Sequence, residues 1–151
     1  MRFFARRSTF RVLPAALVAL ALTACGSGID LDEPIEGPVW RLAQLGDQPV
    51  AAGTEPQRDP HLQFDASSGR VSGAGGCNRI SGSFTRSGSA LRMQQLVSTR
   101  MACADPARSA VETQFFAALQ TTASYRLQGP GRMSLLDAGG RTLATLSSNP
   151  R

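Results

Sequence analysis

Gly73-Ala74-Gly75-Gly76-Cys77-Asn78 and Thr99-Arg100-Met101-Ala102-Cys103 carry two of the chain's three cysteines. The first stretch follows a short alternating run at 70–73. Its glycines permit positive φ and close backbone approach, as a turn or bulge requires. Asn78 is suited to a left-handed turn position, with a side chain able to bond nearby backbone. The second stretch runs into Asp105-Pro106, which reads as an N-cap and a first helical residue. A Cys77–Cys103 disulfide would set the two stretches side by side, with the Thr99 hydroxyl placed to tie one to the other. The alternative is two buried free thiols. Closing a loop of about 25 residues would stabilise the fold by roughly 3–4 kcal/mol through lost unfolded-state entropy.

Outward from this pair, the pattern is that of short strands. Trp40 and Leu42 alternate with Arg41 and Ala43 in residues 39–45, the period of a half-buried strand. Residues 61–65 alternate again after a loop at 46–60 punctuated by prolines. Residues 81–86 and 90–94 flank Ser87-Gly88-Ser89 as a hairpin, and 97–102 is read as a further strand. Val111, Phe115 and Leu119, joined by Ala118, then recur at helical spacing and mark one amphipathic helix. Phe116, beside Phe115, is assigned to the flank of the core. Three strands at 124–128, 132–136 and 141–146 follow, linked by Gly129-Pro130-Gly131 and Asp137-Ala138-Gly139-Gly140. The expected fold is mostly β with one helix, a small antiparallel barrel-like sheet of about eight strands.

The N-terminus is a leader. Arg2, Arg6, Arg7 and Arg11 precede an apolar run at 12–22, too short to span a bilayer as a helix. Leu22-Thr23-Ala24-Cys25 resembles the lipobox of bacterial lipoproteins, in which the cysteine thiol is acylated and becomes the new N-terminus. Two or three acyl chains hold stably where one holds marginally. Gly26 rather than Asp after that cysteine resembles the sorting pattern for the outer membrane, the domain facing the periplasm. The organisation expected is a lipoprotein signal peptide at 1–24, lipidated Cys25 with a flexible tether over 25–38, one domain over 39–147, and a tail at 148–151. All 16 basic residues are arginines. Loss of the four in the leader leaves 12 against 11 acidic residues, a net charge of +1. The remaining arginines are scattered singly along the chain, which argues against nucleic acid as a partner.

Five features occur in order: Trp40 with Leu42, Gly76-Cys77-Asn78, Gly82 with Phe84, Thr99-Arg100-Met101-Ala102-Cys103, and a helix followed by a three-strand meander. Together they resemble the META domain family of HslJ-like bacterial lipoproteins over about residues 39–146. The resemblance implies a barrel-like fold with one helix, an association with envelope stress, and no agreed biochemical activity. Gly76, Cys77, Asn78, Thr99, Met101, Ala102 and Cys103 match the family pattern.

Chemistry is thinly signalled. His61 is the only histidine, and no Gly-x-Ser-x-Gly elbow accompanies it. Cys77, Cys103 and His61 lack the paired spacing of a metal clip. Gly73–Ala74 begins a glycine run without the Lys-Ser/Thr and helix of a phosphate loop. The expectation is a monomer with no catalytic residues, no metal and no cofactor. It would be anchored to the membrane by Cys25 and would bind an envelope protein in an accessory role in envelope integrity or stress tolerance. Gly76, Asn78, Thr99, Arg100 and Met101 are read as architectural, or alternatively as a rim that meets a ligand, with Arg100 the natural anion partner. Two alternatives are a small-ligand carrier using the barrel interior and an inhibitor of an envelope-attacking enzyme.

Overall fold

Every strand pairing in the computed structural model, which describes residues 34–53 and 55–148, is antiparallel. The strands are β1 (Val39–Leu45), β2 (Gln48–Pro49), β3 (His61–Asp65), β4 (Arg70–Ala74), β5 (Arg79–Ser87), β6 (Ala90–Ser98), β7 (Ser124–Leu127), β8 (Arg132–Leu136) and β9 (Thr142–Ser147). A helix, α1 (Pro106–Thr121), lies between β6 and β7 in the chain. Neighbours follow in sequence from β3 to β9, and β1 pairs with both β3 and β9 to close a ring. Closure removes the exposed edges that an open sheet of this length would carry. The weakest seam is β6–β7, which pair only at Ala90 and Ser124.

Alternation decides which side chains fill the ring. Trp40, Leu42, Leu62, Phe64, Val71 and Ile80 all point inward and are buried. Met93, Tyr125, Leu135 and Leu146 complete the filling from the other strands. The helix begins as its sequence dictates. The Asp105 carboxylate accepts from the Ala107 and Arg108 amides, and Pro106 occupies the first turn. It then buries Phe115, Ala118 and Leu119 as a stripe, with Val111 and Phe116 partly covered on its flanks.

Three expectations are corrected. Residues 97–102 are not a separate strand. β6 runs unbroken to Ser98 through an irregularity at Gln95, the one non-glycine with positive φ among the described residues, and 99–102 is irregular. The chain there leaves the ladder to meet Asn78. Asn78 itself is not left-handed, since the turn's positive φ falls on Gly76 at 128°. Nor does the tether reach Pro38. Ile35 is fully buried, its carbonyl accepts from Trp40 Nε1 at 2.7 Å, and Gly37 N donates to Phe64 O at 3.0 Å. The leader and Cys25 lie outside the described residues. Among those described, no helix is long and apolar enough to cross a membrane.

Candidate functional site

Two loops and the first half of α1 meet at Asn78. A turn closes where Gly75 N donates to Asn78 O at 2.8 Å, which brings the backbone N–H groups of Cys77 and Asn78 onto Glu112. Glu112 Oε2 accepts from those two amides at 2.8 and 2.6 Å. Its Oε1 accepts from Asn78 Nδ2 at 2.6 Å. Burial pushes the Glu112 carboxyl up, but the Asn78 side chain and the two amides outweigh it and hold it below the ordinary carboxylate value. Gly75 makes this approach possible, because a Cβ there would stand 2.5 Å from Glu112 Cγ.

Asn78 then carries the connection to the second loop. Its Oδ1 accepts from the Thr99 hydroxyl at 2.9 Å and from Met101 N at 2.7 Å. Thr99 also pairs with Arg79 on both sides, its amide donating to Arg79 O and its hydroxyl accepting from Arg79 N, each at 3.1 Å. Cys77 and Cys103 form a disulfide with Cα atoms 5.7 Å apart. The two stretches are therefore joined by sulfur and by the Asn78 side chain, while Glu112 ties the first of them to α1. Among the described residues no buried side-chain nitrogen or oxygen lacks a partner.

The family-motif residues divide accordingly. Gly76, Asn78, Thr99 and both cysteines are architectural in their contacts. Arg100 and Met101 face solvent, Met101 at 64% exposure, and Arg100 makes no ion pair with the described residues. Arg100, with Asn78, Thr99 and Glu112, lines an open groove of about 540 Å³ between β6 and α1, floored by Leu96 and Phe116. Glu112 escaped the sequence reading. Its partners lie 34 and 35 residues upstream, and the available clue was slight: it is the helix's single acidic residue, next to Val111 in the apolar stripe.

Glu112 accepts three hydrogen bonds, and His61 sits at the start of β3 with Nδ1 2.7 Å from Asp59 O. Among the described residues no three His, Cys, Asp or Glu side chains stand close enough to hold a metal ion.

Comparison with known proteins agrees with this architecture. No curated protein matches the chain. Three solved structures share its fold. One, from Burkholderia xenovorans and determined by NMR, is 26% identical, with 78% of this chain and 85% of that one covered and a TM-score of 0.59. A second NMR structure is 24% identical, covering 76% and 91%, with a TM-score of 0.59. A crystal structure of a DUF4847 family protein from Bacteroides vulgatus is 14% identical, covering 78% and 96%, with a TM-score of 0.56. The META domain model matches residues 33–150, nearly the whole folded part and the Ile35 segment with it. The chain belongs to the META domain family.

Proposed function

We propose that this protein is a non-enzymatic bacterial envelope lipoprotein, held by an acylated Cys25 on the periplasmic side of the outer membrane. It serves there as a binding or accessory module in envelope integrity or stress tolerance. Family membership supports the envelope association. The observation that supports the non-enzymatic reading is the Asn78–Glu112 network, in which the polar groups that line the groove between β6 and α1 are engaged with one another. A carried ligand would find the ring already occupied by Trp40, Phe64, Phe115 and Leu135.

The experiment is fractionation of cells producing the wild type and Cys25→Ser. The wild type is expected with the outer membrane and the variant in the soluble periplasm. A variant that stays with the membrane overturns the lipid anchor. Deletion of the gene is expected to sensitise cells to membrane-active compounds, and crosslinking in intact cells to capture an envelope partner. Unchanged sensitivity overturns the stress role.

A further inference from the structure

The strand register assembles a surface that the sequence scatters. On the outer face of the ring, Gln63 lies opposite Ser72, Ser72 opposite Ser81, and Ser81 opposite Val97. The adjacent row runs Arg41, His61, Ala74, Arg79 across the same strands. Opposite residues on one face have Cβ atoms about 5 Å apart. The small side chains of β4 and β5 therefore form a floor, and β3 and β6 form walls about 14 Å apart at the spacing of neighbouring strands. The result is an open groove of about 630 Å³.

The groups facing this groove are polar, and while Gln63, His61, Ser98 and Thr99 are engaged with neighbouring groups, others are open to a ligand. The hydroxyls of Ser72 and Ser81 and the guanidinium of Arg79 have no side-chain partner among the described residues. His61 Nδ1 donates to Asp59 O, so Nε2 is the ring nitrogen left for a ligand. Val97, 60% exposed, adds one apolar wall. Asp65 is the only carboxylate facing outward on β1, β3, β4 and β5, and it is engaged by the hydroxyls of Ser67 and Ser68. Arg79 lines the groove, and Arg70 and Arg41, the latter donating to Pro56 O, share its face, so that face favours an anion.

We propose that this groove binds a linear glycan carrying carboxylates. Three properties select that class. Hydroxyl and amide groups on a floor of small side chains suit a hydroxylated ligand, while Val97 offers contact to sugar C–H groups. The unpaired Arg79 recognises a carboxylate. An extended peptide is disfavoured because the β3–β4–β5 ladder bonds are already made within the sheet, so its backbone would find no partners. A single-stranded nucleic acid would want stacking aromatics, and the groove has none. The inference rests on the binding role proposed above and gives it a ligand class.

The test is isothermal titration of the full chain, in a neutral detergent, with a hexamer of galacturonic acid, a neutral hexamer of glucose and inorganic polyphosphate. The acidic glycan is expected to bind at least tenfold more tightly than either of the others. Arg79→Gln is expected to weaken it about tenfold, Ser81→Tyr to abolish it by filling the floor, and Arg126→Gln, at an exposed position of β7, to leave it unchanged. Arg79→Gln alters an exposed side chain and decides the matter should Ser81→Tyr fail to fold. No binding, equal binding of polyphosphate, or an equal loss with Arg126→Gln overturns the proposal. Because binding is measured on purified protein, it fails or succeeds independently of the Cys25 fractionation.

Discussion

Glu112 accepts both the backbone amide of Asn78 and its side-chain amide, at 2.6 Å each, across 34 residues of sequence. A single helical carboxylate thus clamps the turn that positions the rest of the motif. Replacing it by alanine strips three donors of their acceptor in a partly covered site. Leaving such groups unmet costs about 1–3 kcal/mol apiece when fully buried, and less with water nearby. Glu112→Ala is therefore expected to lose about 2–4 kcal/mol in urea unfolding. Thr113→Ala, one residue on and exposed, is expected to stay within about 0.5 kcal/mol. A Glu112→Ala loss no larger than that of Thr113→Ala would show that the clamp holds nothing.

The same carboxylate gives the fold an acid sensitivity of predictable sign. Its folded pKa lies below the ordinary 4.5, so its contribution is complete above that value and is lost as pH falls through the folded pKa. Asp65, held at about 2 by the Ser67 and Ser68 hydroxyls, and Asp137, held down by the Arg141 amide and side chain, act in the same direction. Glu112→Gln is expected to reduce the fall in Tm between pH 5 and about pH 2 without removing it. A fall as steep as the wild type's would move the acid response elsewhere.

The disulfide acts on the unfolded chain as much as on the folded one. Its cysteines are 26 residues apart in sequence. A loop of that length corresponds to about 3–4 kcal/mol in the chain-entropy treatment. For a domain of this size that is a drop in Tm on the order of 10–20 °C. Cys77→Ser with Cys103→Ser is expected to show that drop and to abolish the change in gel mobility on reduction. Because Asn78 and Thr99 still join the loops, and Glu112 still holds the first of them to α1, the variant is expected to fold. An unaltered Tm would remove the staple from the account of stability.

What the sequence makes legible here is local. Alternation marks the strands around Trp40, Leu62 and Phe64, and Asp105-Pro106 marks the helix start, because each depends on residues within a turn or two. The Gly76-Cys77-Asn78 and Thr99 motifs announce that two loops meet. Glu112 stays hidden because nothing near it in the chain reports its partners. The face gathering Arg41, Arg70 and Arg79 is equally hidden, since single arginines 9 to 38 residues apart become neighbours only through strand register. Ile35 was absorbed into a Gly- and Pro-rich stretch whose composition reads as tether.

That last residue supports a further expectation. Ile35 is completely buried, and its carbonyl receives the Trp40 indole N–H, so the segment fills the core and satisfies a buried donor together. The next residue extends the anchorage. Glu36 pairs with Arg86 at 3.0 Å, and Arg86 also donates to the Tyr125 hydroxyl at 2.9 Å, which links the segment to β5 and β7. Removing a fully buried isoleucine side chain down to alanine costs about 2–5 kcal/mol when the site cannot collapse. Ile35→Ala is expected to fall in that range, whereas Val39→Ala, 38% exposed at the start of β1, is expected to cost under about 1 kcal/mol. Native-state hydrogen exchange supplies a second readout. In the wild type the Trp40 indole proton is expected to exchange only through global opening, and in Ile35→Ala to exchange faster by local opening. Equal stability for the two substitutions, with an unprotected Trp40 indole in the wild type, would return residues 34–38 to the tether.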